Sequence, residues 1–246
     1  MKTRFNPSLW LIIIAAAFSS CVNTRKAIYF NIDKDSVVQV NVNQQNVLIQ
    51  KNDILDIKVS SLSAEASQLY NTQDTKGYLV NREGNITFPV FGVIKVEGKT
   101  KEELQEFLTK QLTERKLLSD PMVSVRLASF RVTVLGEVAR PGVVAVPTEK
   151  ISILEALGSA GDMTIHSNRS NVLVIREDQH QRMFKVIDLN SDDVFDSPYF
   201  YLKPNDVVYV RPTKTRISST NPARTWLPTV ISLLSFGAII ATRVIN

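Results

Sequence analysis

The chain has 246 residues, 44% of them hydrophobic, and a formal charge of +5. That length suits one or two compact domains with flanking segments. Lys2, Arg4, Arg211, Lys214, Arg216, Arg224 and Arg243 lie at the two ends. Removing those seven from the 29 basic residues leaves 22 against 24 acids. The body is thus slightly acidic, and it lacks the basic face with interleaved aromatics that nucleic acid requires. One cysteine excludes an intrachain disulfide and a cysteine zinc cluster. His166 and His180 sit in polar stretches outside any ligand spacing, so no metal site and no cofactor is expected.

Residues 1–20 read as a signal peptide. Met1–Arg4 is basic, and Leu9–Phe18 is an apolar run too short to span a bilayer. Ser19 and Ser20 precede Cys21, which places the cysteine at the cleavage position of a lipoprotein. Cys21 is therefore the expected lipidation site, with Phe18 where an aliphatic residue is usual. Residues 21–35 read as a lipidated tether.

Alternation predicts strands at Val38–Val42 and Ile54–Val59. Gly77–Val80 and Ile86–Phe88 flank Asn81–Asn85, a predicted hairpin turn. Thr100-Lys101-Glu102-Glu103 is a capping box. It opens a helix with Leu104, Phe107, Leu108 and Leu112 on one face and a Glu106–Lys110 pair on the other. A strand is predicted at Met122–Leu127, and another at Val132–Leu135. Arg140-Pro141-Gly142-Val143 fits a type II turn. Ser152–Glu155 is a second capping box, and Ala160-Gly161 ends its short helix. Val172–Ile175 and Met183–Ile187 read as a strand pair, and the turn Lys203–Asp206 leads into Val207–Val210.

These motifs carry a resemblance. Lys51–Ile57 and the run Leu79–Gly92 through Gly98 and Thr100 are similar to the export domain of Wza-type polysaccharide export proteins. Val132–Gly142, Leu154-Glu155-Ala156, Ala160-Gly161 and Tyr201–Val210 resemble the SLBB (soluble-ligand-binding β-grasp) domain of the same family. Glu83 stands where the family favours Asp, and Asp162 where a second Gly is common. The fold class expected is α+β: an export domain over 36–129, one β-grasp-like SLBB domain over 130–211, a linker over 212–225 and a transmembrane helix over 226–246.

Residues 226–242 form an uncharged, mostly apolar run. As a helix it is ~25 Å long, matched to a thin membrane. Pro228 would then lie in its first turn. Trp226 and Arg243 suit the two membrane interfaces. At ~100° per residue, Thr229, Ser232, Ser235 and Thr242 fall on one side. The residues alone leave two readings: a pore-lining stripe in a ring of helices, or a plain anchor whose small residues permit packing. The resemblance implies the pore. It also implies a homo-oligomeric ring, octameric in that family, in the outer membrane with its body in the periplasm. The partners it implies are the polysaccharide, membrane lipid and an inner-membrane co-polymerase linked to a tyrosine kinase. No catalytic set is evident, so a passive conduit is expected and not an enzyme. The rivals are an inner-membrane chain-length regulator, a saccharide-binding lipoprotein without a channel, and a glycan enzyme built on paired carboxylates.

Overall fold

The computed structural model describes residues 28–30, 47–71, 77–178, 181–219 and 222–244. The expected strand at Val38–Val42 lies outside them, as does His180. Two hydrophobic cores form, one on each side of Ala128-Ser129.

The first domain holds β1 (Ile54–Ser60), α1 (Ala64–Gln68), β2 (Tyr78–Leu79), β3 (Asn85–Phe88), β4 (Gly92–Lys95), α2 (Lys101–Glu114) and β5 (Met122–Leu127). Leu55, Ile57 and Val59 point into the core, while Asp56 and Lys58 point out. That parity fixes the antiparallel register of β1 on β5. Thr100 and Glu103 close the expected capping box and start α2, which buries Leu104, Leu108 and Leu112. Three expectations change here. Phe107 stays 37% exposed. The ion pair on the outer face is Lys110–Glu114 at 3.9 Å, in place of Glu106–Lys110. Asn81–Asn85 is a tight turn, but its flanks do not pair with each other: β2 joins β1, and β3 pairs with β4. Asn81 Oδ1 accepts from the backbone of Glu83 and Asn85 and redirects the chain between the two ladders.

The second domain is a five-stranded sheet, ordered β7 (Gly142–Ala145), β6 (Arg131–Gly136), β10 (Val207–Pro212), β8 (Ser167–Asp178), β9 (Gln181–Ile187), with α3 (Ile153–Ser159) on its inner face. β10 is central: it runs parallel to β6 and antiparallel to β8. Gly136 has a φ of 92°, and a Cβ there would lie 2.0 Å from the Val210 carbonyl oxygen, so no other residue fits. Gly142 does not take the positive φ that a type II turn needs. It pairs with Val134 and opens β7 instead. Ser152 and Glu155 form the second capping box, and the Ser152 N–H holds the Glu155 carboxyl below the usual range.

The start of β10 is locked by a buried ion pair. Asp206 accepts from Arg176 Nε at 3.0 Å and Nη2 at 2.7 Å, and from the Lys203 backbone at 2.8 Å. Arg176 also bonds the Tyr201 carbonyl at 3.2 Å and lies 4.5 Å from the Tyr199 ring centroid. Their side chains are 4% and 1% exposed, so neither charge has water to fall back on.

The expected linker is helical. Lys214–Ser219 form α4, and Pro222–Val244 form α5. Pro222 occupies the first turn, so Pro228 lies inside the helix. At 23 residues α5 is ~35 Å long. Among the described residues, no helix is long and apolar enough to cross a membrane, so the expected transmembrane helix is not borne out as such.

Arg176→Ala leaves the Asp206 carboxylate buried and unpaired. The expected loss is about 3–5 kcal/mol of second-domain stability, read by urea denaturation. A loss under about 1 kcal/mol would contradict the locking role.

Candidate functional site

Two features stand out: the end of the second domain where the chain's two termini attach, and the groove between the domains. The terminal attachments converge on the loop Gly161–Ser167. Tyr29 donates from its hydroxyl to Asp162 Oδ1, and the Phe30 backbone bonds the Leu189 carbonyl at 3.1 Å. Phe30 packs on Phe195, with ring centroids 5.0 Å apart. Arg169, nearly buried, lies 5.2 Å from the Tyr29 ring centroid. Burial, then the bond to Asp162 and its charge, push the Tyr29 hydroxyl above its ordinary range. The expected tether is therefore docked at residues 28–30 and forms a strap on the second core. The signal for it was Ile28-Tyr29-Phe30, an apolar triplet in a polar stretch.

β10 delivers the other end to the same loop. Pro212 pairs with Ser167, and the Thr213 N–H donates to the His166 carbonyl at 2.8 Å. Glu137 bonds Thr164 Oγ1 at 2.9 Å and pairs with Arg216 of α4 at 3.7 Å. Strap and helices thus leave from one end of the domain.

The groove, about 640 Å³, has walls from both domains. Leu127 packs into both cores, and Lys101 pairs with Glu149 across the gap. Lys150 lies 3.7 Å from the Tyr201 ring centroid, and Arg126 also lines the groove. The junction itself is pinned by Asp53, which is 4% exposed. Ser129 Oγ donates to Asp53 Oδ1 at 3.2 Å and accepts from the Ile54 N–H at 3.1 Å. Burial raises the Asp53 carboxyl above its usual range.

Of the expected site residues, Cys21 lies outside the described residues, and so does the side chain of Thr242. Trp226, Thr229, Ser232, Ser235 and Arg243 are exposed on α5. Ser235 Oγ bonds the Ile231 carbonyl at 2.8 Å, within its own helix. At ~100° per residue, Phe236 and Ile239 fall among Thr229, Ser232 and Ser235, so the polar stripe is interrupted. No group of His, Cys, Asp and Glu among the described residues is arranged to hold a metal.

The first domain coincides with a match to the polysaccharide biosynthesis/export protein family over residues 41–128, and the second with the SLBB domain over 130–210. The chain belongs to the Wza-type polysaccharide export family. This is a family of export proteins, not of enzymes. The chain is similar to the EPS I polysaccharide export outer membrane protein EpsA of Ralstonia solanacearum, with 29% identity over 144 residues, 57% of this chain and 37% of that relative. It is also similar to the protein of the same name in Ralstonia nicotianae, with 36% identity over 104 residues, 41% of this chain and 27% of that relative. The matched region thus spans about a third of the length of these curated relatives.

Two outcomes test this geometry. Phe30→Ala is expected to lower second-domain stability by about 1–2 kcal/mol and to speed amide exchange at the strap, and no change in either would contradict docking. For Asp53 the folded carboxyl titrates above the unfolded one, so its contribution falls as pH rises through those two values. Asp53→Asn should therefore gain stability relative to the parent as pH rises through the unfolded and then the folded carboxyl value, measured by denaturation across a pH series, and a stability difference that does not change with pH would contradict this.

Proposed function

We propose that this chain is a subunit of an outer-membrane conduit for polysaccharide, capsular or exopolysaccharide, which moves the polymer without chemistry of its own. The observation that carries the reading is the ordered pair of an export domain and one SLBB domain, joined through a pinned two-residue junction. The relatives' names, polysaccharide export outer membrane protein, supply the location and the cargo class.

In this reading Cys21 carries acyl chains and α5 enters the outer membrane, with the two domains in the periplasm. Covalent geometry supports a common attachment end. The eight residues from Cys21 to Tyr29 can extend by at most ~29 Å, so a lipid on Cys21 stays near the loop from which α4 departs. Apolar side chains of α5 away from the polar stripe, including Leu233 and Leu234, are exposed in the single chain. A ring of α5 helices accounts for that exposure and for the finding that, among the described residues, no helix is apolar enough to cross alone. In a barrel each helix meets lipid on one side only, with Thr229, Ser232, Ser235 and Thr242 toward the lumen and Trp226 and Arg243 at the interfaces. The ring is octameric if it follows the family, and polymer movement is driven by synthesis and by an inner-membrane co-polymerase with its tyrosine kinase.

A second reading draws on the finding that no described helix is long and apolar enough to span: a saccharide-binding lipoprotein that forms no channel. Export in cells depending on this chain separates them. Deleting residues 222–246 is expected to abolish export while both domains stay folded, and Cys21→Ser to lower outer-membrane retention severalfold. Undiminished export after the deletion would contradict the conduit and favour the second reading.

A further inference from the structure

The end of the second domain from which the strap and the helices leave has a surface chemistry of its own. Its centre is the loop Gly161–Ser167. The chain turns through Gly161 and Asp162, at φ values of 77° and 69°. The Thr164 N–H then donates to the Glu137 carbonyl at 3.0 Å, and the Ser167 N–H to the Thr164 carbonyl at 3.1 Å. Between these pinned points Ile165 stands 86% exposed and belongs to neither core. Ile217 of α4 is 59% exposed and Ile28 of the strap 50%.

Basic side chains surround the loop. A Cβ on Gly161 would lie 3.2 Å from Arg140 Nε, so that guanidinium covers the turn. Lys214 follows Thr213, whose N–H donates to the His166 carbonyl at 2.8 Å. Arg216 pairs with Glu137 at 3.7 Å, Arg211 bonds Asn171 at 2.8 Å, and Arg169 adds a buried charge behind the strap. Among the described residues, these cations outnumber the acids of the same end, Glu137, Asp162 and Asp188. Glu137 is engaged by Thr164 and Arg216, and Asp162 by Tyr29. The balance is the reverse of that in the rest of the body, which is slightly acidic.

Cations set around exposed isoleucines fit an anionic membrane interface. Near such a surface each basic side chain is worth about fivefold in binding, and apolar side chains enter the boundary below the head groups. A soluble acidic saccharide would use the charges but leave the isoleucines in water. A protein partner would need a continuous apolar centre, whereas Ile28, Ile165 and Ile217 stand on three separate segments. Continuity points the same way. α5, with Leu233 and Leu234 exposed, departs from this end, and the matched relatives are named outer membrane proteins.

We propose that this end of the second domain docks on anionic phospholipid head groups, with Ile165 entering the interface and Arg140 and Lys214 facing the phosphates. The membrane as occupant rests on the outer-membrane reading of the proposed function; the surface itself rests on charge, exposure and the pinned loop. The contact is made by the folded domain and is separate from Cys21 and from α5.

The test uses the full chain in phosphatidylethanolamine vesicles made with or without phosphatidylglycerol. Ile165→Cys carries a fluorophore, and the parent, whose one cysteine is Cys21, is labelled alongside as background. Leu233→Cys reports on α5. Leu62→Cys, 84% exposed beyond the end of β1 that is remote from the domain junction, reports on the first domain. Spin-labelled lipid is expected to quench the probe at 165 more strongly when phosphatidylglycerol is present, and to leave the probe at 62 bright. Added salt should weaken the quenching at 165, because it screens the charges. Arg140→Glu with Lys214→Glu should lower the docked-to-undocked ratio at 165 by at least about tenfold. The salt series uses no charge variant and decides the matter if that double variant misfolds. No quenching at 165, or quenching there that ignores both phosphatidylglycerol and salt, would overturn the docking surface; a quenched probe at 233 would then leave the conduit standing. Quenching at 165 without quenching at 233 would support the docking surface and contradict the conduit. Quenching at neither position would overturn both.

Discussion

The buried bond between Arg176 and Asp206 organises the second domain. It holds the turn before β10, and β10 is the strand on which the second sheet is centred. A charge pair with 4% and 1% exposed side chains tolerates little displacement, because each lost hydrogen bond leaves a charge without solvent. With its start fixed and its register set on β6 and β8, β10 ends against Ser167 and His166. The chain then enters α4 and α5 from that point, beside the loop that receives the Tyr29 strap. The position of the terminal helix is therefore a consequence of a lock at the other end of the strand.

The same logic applies between the domains. Only Ala128 and Ser129 separate β5 from the core residue Phe130, and Ser129 is held by Asp53. Leu127 shares both cores, and Lys101–Glu149 spans the groove. A junction this short leaves little freedom for one domain to pivot on the other. Rigidity of that kind suits a part that stacks in an assembly more than one that closes on a ligand.

Much of the fold was legible because local chemistry and tertiary structure agree. Both capping boxes formed at Thr100 and Ser152, and the alternating runs became β1, β5, β6 and β10. What was not legible depended on partners distant in sequence. Nothing local says that β2 pairs with β1 rather than with β3, or that Gly142 joins a strand in place of a turn. The strap was hidden because Tyr29 and Phe30 acquire meaning only against Asp162, Leu189 and Phe195. Arg176 could have been found: it continues the inward parity of Val172 and Val174, and an arginine at such a position needs an acid. Of the candidate site residues, those on α5 are placed on an exposed helix, but the wheel that grouped the polar residues also places Phe236 and Ile239 among them. Helical periodicity identifies faces; it does not say what each face meets.

The proposed conduit is a membrane-attached ring whose terminal helices enclose the exit. Particle imaging of the full-length chain, extracted from outer membranes in mild detergent, tests this most directly. The account expects closed rings with first domains at one end, and at the other a helical barrel beside the acylated Cys21. Single subunits, or rings whose terminal helices splay outward without enclosing a lumen, would contradict it.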